Sequence, residues 1–160
     1  MRPRSTSTKS TLRNELEYPL MKKVTILRGL PSTGKSTYAA AYPHAVVCSA
    51  DDYFIVDGKY EFVGWKVPIT HQWCFGKFID AMNPIGQAGH IIVDNTNTMK
   101  WEYQNYIKLA LLMDYEFEIL NFNQDWTDQE LADRNKHGVP AEGINRMRTR
   151  WEDDPREKFM

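Results

Sequence analysis

Cysteine is scarce in this chain: Cys48 and Cys74 are the only two in 160 residues, and neither sits in a CxxC pair or a Cys–His spacing suited to zinc or redox chemistry. That excludes a disulfide scaffold and a zinc knuckle, and predicts two buried free thiols in a reducing, cytoplasmic compartment. Long apolar runs are missing too. The longest, such as Ile107 to Met113 with its Lys108, falls far short of the ~20 residues that span a bilayer, so no membrane partner is expected. Strong charge of either sign is absent, with 20 basic residues against 21 acidic giving −1. No global field advertises a polyanion, although a local basic groove would survive that average. Finally, the first 13 residues lack any acid: Arg2, Arg4, Lys9 and Arg13 stand among serines and threonines with almost nothing apolar. Residues 1–20 are therefore expected to be a disordered tail ahead of one domain, 21–160, with Met21 a candidate start.

From Lys23 onward, short apolar runs alternate with longer amphipathic segments, the form of βαβ units around a covered parallel sheet. Strands are predicted at 24–28, 45–49, 90–94 and 116–122, each rich in β-branched or aromatic residues and bounded by polar or glycine punctuation. Helices are predicted at 35–41, 70–88, 100–113, 127–135 and 141–151, the fourth opened by a Thr127-x-x-Glu130 capping box. Right-handed crossovers fold these into a three-layer α/β domain whose loops gather at the strands' carboxyl ends.

Between the first strand and first helix lies Gly29-Leu30-Pro31-Ser32-Thr33-Gly34-Lys35-Ser36, which satisfies GxxxxGK[ST] and is followed by Thr37. Strand before and helix after is the context this phosphate-binding loop requires. Its glycines let successive amide N–H groups face one anion, and the helix that follows adds its positive end. Lys35 is placed to reach the β- and γ-phosphates of ATP, and the Ser36 hydroxyl to ligate Mg2+.

Asp51 and Asp52 follow the second strand and Asp94 ends the third, so the three carboxylates should converge on the same edge. Phosphoryl transfer to a hydroxyl needs a carboxylate that orients the nucleophile and takes its proton, and Asp51 is the candidate; adjacent aspartates also serve simply as helix caps. Asp94 closes the apolar run His90-Ile91-Ile92-Val93 as the acid of a second nucleotide-site motif, acting on Mg2+ directly or through water. The polar run Asn95-Thr96-Asn97-Thr98 either binds an acceptor or satisfies a tight turn, and both readings stand. Arg134, Lys136 and His137 precede Gly138 as a basic lid in which Arg134 is the candidate cation over the phosphates. Arg146 and Arg148 read as a solvated face paired with Glu142, Glu152 and Asp153. Among the aromatics, Tyr60 and Trp65 are kept as candidate substrate contacts.

The P-loop, Ser49-Ala50-Asp51-Asp52-Tyr53-Phe54, Ile92-Val93-Asp94-Asn95-Thr96-Asn97 and Glu130-Leu131-Ala132-x-Arg134-Asn135-x-His137-Gly138-Val139-Pro140 occur in one order. Together they resemble the P-loop 5′-hydroxyl polynucleotide kinase family, including its small kinase-like AAA modules, over about Lys23 to Trp151. The resemblance implies a P-loop kinase fold with a C-terminal helical lid, ATP and Mg2+ as ligands, Lys35, Asp51 and Arg134 in catalysis, and Asp52, Asp94, Asn95, Thr96 and Asn97 near the acceptor. It implies a DNA or RNA 5′ end as partner, and leaves oligomeric state open. Two departures stand out. Phage kinases of this type carry an arginine shortly after the aspartate pair, where this chain has Tyr53, Phe54 and Ile55, and a second lid arginine where it has His137. Three functions follow: a polynucleotide 5′-hydroxyl kinase, a kinase of a nucleoside, modified base or other small hydroxyl acceptor, and an ATP-binding switch.

Overall fold

Strand residues alternate between two helical layers. Val24, Ile26, Ile91, Val93 and Ile119 point into one apolar layer, while Leu27, Ile92 and Leu120 point into the other. This period of two on both faces is the signature of a sheet covered on each side. The computed structural model describes residues 21–85 and 87–160; the tail expected over 1–20 lies outside them. Its strands are β1 (Lys23–Arg28), β2 (Val46–Cys48), β3 (Ile55–Val56), β4 (Lys59–Tyr60), β5 (His90–Asp94), β6 (Glu116–Asn121) and β7 (Glu157–Phe159), and its helices α1 (Lys35–Ala40), α2 (Val67–Met82), α3 (Lys100–Leu112), α4 (Asp128–Arg134) and α5 (Ala141–Thr149). The main sheet runs β2-β5-β1-β6-β7 with every neighbouring pair parallel. Helices α2 and α3 cover one face and α1 the other, giving three layers. Helices α4 and α5 form a separate unit, seated through Leu131 and Ile144 on Leu30.

Four strands agree with the sequence reading to within a residue, and the capping box of α4 forms as expected: Thr127 Oγ1 accepts from the Glu130 amide, and Glu130 accepts from the Thr127 amide at 2.8 Å. Three differences have physical causes. Helix α2 stops at Met82 rather than running to 88, because Asn83 precedes Pro84 and the residue before proline is driven out of the helical region; Asn83 sits at ψ 136. It also starts earlier, at Val67, with Pro68 in the first turn where a missing N–H costs nothing. The stretch after Asp52 is a 3₁₀ turn (Ala50–Phe54) followed by the β3–β4 hairpin, whose Asp57-Gly58 turn has φ 49 and 76.

The largest fully buried side chain is Arg28, at the end of β1. Its Nε donates to the Asn97 carbonyl at 2.8 Å, its Nη2 to the Thr98 and Glu152 carbonyls at 3.1 and 2.6 Å, and its Nη1 pairs with Glu157. The guanidinium also lies over the rings of Tyr103 and Trp151, 4.9 and 4.4 Å from their centres. Both thiols are buried and free; burial raises the Cys48 thiol to about 12. Among the described residues no helix is long and apolar enough to cross a membrane. Arg28→Ala is expected to lower the unfolding free energy by about 3–5 kcal/mol, since it strands a buried Glu157 and three carbonyls. Urea denaturation checks this; a loss below ~1 kcal/mol would mean the network relaxes without it.

Candidate functional site

The P-loop turns because two positions forbid a Cβ or favour its absence. A Cβ on Gly29 would stand 2.6 Å from Thr33 Oγ1 and 3.0 Å from Phe122 Cβ, and Gly34 has φ +99. Thr33 Oγ1 donates to the Leu30 carbonyl, and Asn123 accepts the Leu30 amide at 2.9 Å, so the loop is braced from inside and from the end of β6. Lys35 is buried, its Nζ donating to the Gly29 and Leu30 carbonyls at 2.8 and 2.9 Å. Burial lowers its pKa to about 8, against the opposing pull of Asp94 and then Asp51. Helix α1 spans six residues, so anion binding here rests chiefly on the loop amides and Lys35.

Because β5 pairs directly with β1, Asp94 lands beside the helix that follows the loop. Ser36 Oγ donates to Asp94 Oδ2 at 2.8 Å. Asp94 is nearly buried; desolvation raises its pKa, while Lys35 and the Ser36 hydroxyl hold it down. Asp51 lies at the 3₁₀ turn after β2, exposed, with Tyr60 Oη donating to its Oδ1 at 3.4 Å. That tyrosine is pushed up to about 12, by burial first and then by the Asp51 charge.

These groups border one cavity of about 910 Å3, together with Pro31, Ser32, Gly34 and Thr37 of the loop, Asn95, Thr96 and Arg134. Of the three acids expected to converge, Asp51 and Asp94 reach the cavity and Asp52 does not, and Asn97 is likewise missing from the wall. Asp52 pairs with Lys77 of α2 at 3.2 Å, and Asn97 is buried with its side chain on the Leu27 carbonyl at 2.7 Å. Asn95 lines the cavity while accepting the Ala50 amide at 2.8 Å, which fixes the turn carrying Asp51. Trp65 is 72% exposed and off the wall, whereas Tyr60 is on it.

The lid is tied to both sides of the cavity by contacts that sequence reading missed. Asn135 Nδ2 donates to Ser32 Oγ at 3.2 Å, and its Oδ1 accepts the His137 and Val139 amides. The His137 ring lies 4.1 Å from that of Tyr60, so the residue standing where a second lid arginine was expected reaches the Asp51 side instead. Arg134 rests on Trp126, 4.4 Å from the ring centre. Arg148 is held by Asp128 at 2.8 Å, not by the acids expected for it. Arg146 is exposed, as the solvated face read from sequence expects, but it pairs with none of the acids expected for it among the described residues and also borders the cavity.

With this geometry in hand, comparison with known proteins is decisive for the family. The family described as AAA domain matches residues 24–153. The chain belongs to the AAA domain family. A human relative, NEDD4-binding protein 2, is 36% identical over 76% of the chain. The chain spans only 7% of that relative's length. Among solved structures, this AAA domain resembles a chain of the Pnkp1/Rnl/Hen1 RNA repair complex, with a TM-score of 0.62 and 19% identity over 88% of this chain and 46% of that one. It also resembles the APS kinase CysC of Mycobacterium tuberculosis in complex with AMPPNP and APS, with a TM-score of 0.56 and 13% identity over 87% and 88%. At such identities these likenesses show the fold, which is P-loop kinase-like.

The lowered pKa of Lys35 gives a signed prediction. A bound phosphate favours the charged amine, so above about pH 8 binding must first reprotonate it. ADP affinity, measured calorimetrically at constant Mg2+ and ionic strength, should fall as pH rises from 8 to 9.5, with proton uptake. Lys35→Ala should bind weakly and lose that slope, and a flat profile in the unaltered chain would remove Lys35 from the phosphate site.

Proposed function

We propose that this AAA domain is an ATP-dependent kinase that phosphorylates the 5′-hydroxyl of DNA or RNA, acting in nucleic-acid repair or modification within the cytoplasm. The observation that carries it is the sharing of one cavity by the P-loop, Asp51 and the Ser36–Asp94 pair. At about 910 Å3 it lies near the top of the ~300–1,000 Å3 range of ligand pockets, large enough for a donor and an acceptor together.

Asp51 accepts the proton of the acceptor hydroxyl as its oxygen attacks the γ-phosphorus. The new P–O bond forms as the bond to the β-phosphate bridging oxygen breaks, and ADP leaves opposite the nucleophile. The P-loop amides and Lys35 hold the β- and γ-phosphates. Arg134, braced on Trp126, neutralises charge as the transferring group separates. Asp94 and the Ser36 hydroxyl form an oxygen pair fitted to Mg2+, which takes only one or two protein oxygens and supplies charge neutralisation at the phosphates when bound. Tyr60 donates to Asp51 Oδ1, which orients the carboxylate that takes the proton.

The test is transfer of labelled γ-phosphate from ATP, with Mg2+, to 5′-hydroxyl DNA and RNA oligonucleotides, nucleosides, and duplex DNA bearing hydroxymethyl bases. Labelled oligonucleotide ends are expected. Label confined to nucleosides or bases would establish the small-acceptor kinase, and intact ATP binding without any transfer would establish a nucleotide switch. Asp51→Asn should keep ADP affinity within about twofold and lose transfer by ~10²–10⁴-fold, the usual worth of a positioned base. Retained transfer would shift the base to another carboxylate. Arg134→Ala should lower kcat by ~10³-fold or more if it acts on the leaving phosphates; a severalfold effect would return it to a packing role over Trp126.

A further inference from the structure

Gly143, Arg146, Met147 and Arg150 recur at the three-and-four spacing of one helix face, and all four line the cavity. Helix α5 and its C-cap thus form an open wall of the site, on which Arg146 and Arg150 are reached by solvent. The wall is cationic. Arg150 Nε donates to Thr98 Oγ1 at 2.9 Å, which locks the guanidinium's direction, while its nearest carboxylate, Glu102, stands 3.9 Å from Nη2. Arg146 has neither an ion pair nor a side-chain hydrogen bond among the described residues, although Glu142 stands one turn back on the same helix. Around the whole cavity five cationic side chains face three carboxylates, in a chain whose net charge is −1. Charge excluded from the overall balance is concentrated here.

Resting on the kinase reading above, we propose that Arg146 and Arg150 form a second phosphate-binding subsite that holds a phosphate of the acceptor next to the hydroxyl being phosphorylated. The donor's phosphates already have the loop amides, Lys35 and Arg134. Arg150 is instead fastened to Thr98, on the segment that leaves Asp94 and carries Asn95 and Thr96 along the acceptor side. A guanidinium held through Nε still presents Nη1, and Nη2 beyond its long 3.9 Å pairing with Glu102, to a phosphate oxygen pair, the fork geometry in which arginine outperforms lysine. The subsite makes the acceptor a nucleotide or strand end carrying its own phosphodiester or 3′-phosphate, and disfavours an uncharged nucleoside or sugar.

Direct binding separates this subsite from the kinase reading. Thymidine, thymidine 3′-monophosphate and a 5′-hydroxyl oligothymidylate are titrated into the full chain saturated with Mg2+ and the ATP analogue AMPPNP, alongside ADP titrated alone. Arg150→Ala and Arg146→Gln are each compared with the unaltered chain, with thermal unfolding as a check on folding. The unaltered chain should prefer thymidine 3′-monophosphate to thymidine by at least about tenfold, the worth of one charge-assisted hydrogen-bond pair. Each variant should erase most of that preference and leave ADP affinity within about twofold. Arg150→Lys should recover only part of it, because the fork is lost. Equal binding of thymidine and its 3′-monophosphate in the unaltered chain would overturn the subsite, as would variants that weaken ADP and leave the 3′-phosphate preference intact, which would assign the arginines to the donor. Should Arg150→Ala unfold, Arg146→Gln decides alone, since Arg146 holds no other described residue in place. A preserved preference without any γ-phosphate transfer would support the subsite while defeating the kinase reading.

Discussion

The buried guanidinium of Arg28 is the constraint on which the site's architecture depends. It leaves the end of β1 one residue before the P-loop and binds three segments otherwise far apart in the chain: the Asn97–Thr98 turn, Glu152 in the segment after α5, and Glu157 of β7. Desolvating an arginine is costly, and the cost is offset here by four hydrogen bonds, one to a carboxylate, and by two aromatic faces. Because the same side chain fixes both the strand that launches the loop and the turn that follows Asp94, it holds the P-loop and Asp94 sides of the cavity in one register. The neighbouring strand pairing then brings Ser36 within 2.8 Å of Asp94.

Around that frame Lys35 and Asp94 are tuned by burial. Lys35 is desolvated until its pKa stands near 8, yet Asp94 and Asp51 keep it from falling further. The reciprocal effect holds Asp94 down against its own burial. Lys35 and Asp94 thus each oppose the other's loss of charge on burial, a preorganised arrangement suited to receiving phosphates. The lid shares the coupling: Asn135 grips the P-loop at Ser32, and His137 packs on Tyr60, whose hydroxyl reaches Asp51.

Much of this was legible in the residues. The central strands announce themselves by β-branched runs, the P-loop by a motif in its required context, and the meeting of Asp51 and Asp94 by the rule that strand ends share an edge. What escaped reading depends on distance along the chain. Arg28 reads as an ordinary strand-end cation, because its partners lie 69 to 129 residues away. Strand β7, Glu157–Phe159, is polar and three residues long, and forms because its backbone extends the edge of β6, not because its side chains demand it. The hairpin at Asp57-Gly58 did carry a local turn signal, but two-residue strands are too short to show alternation. Arg146 reads as part of a solvated basic face, and only the fold shows that this exposed residue, with Arg150, also borders the cavity.

The central claim is that one cavity passes a phosphoryl group directly from ATP to an acceptor hydroxyl. The most direct measurement is the stereochemical course of transfer from ATP made chiral at the γ-phosphorus with oxygen isotopes and sulfur. A single in-line displacement with Asp51 serving only as base predicts inversion of configuration in the 5′-phosphorothioate product. Net retention would contradict the account, since it requires two displacements and a covalent phosphoenzyme for which the derived mechanism provides no step.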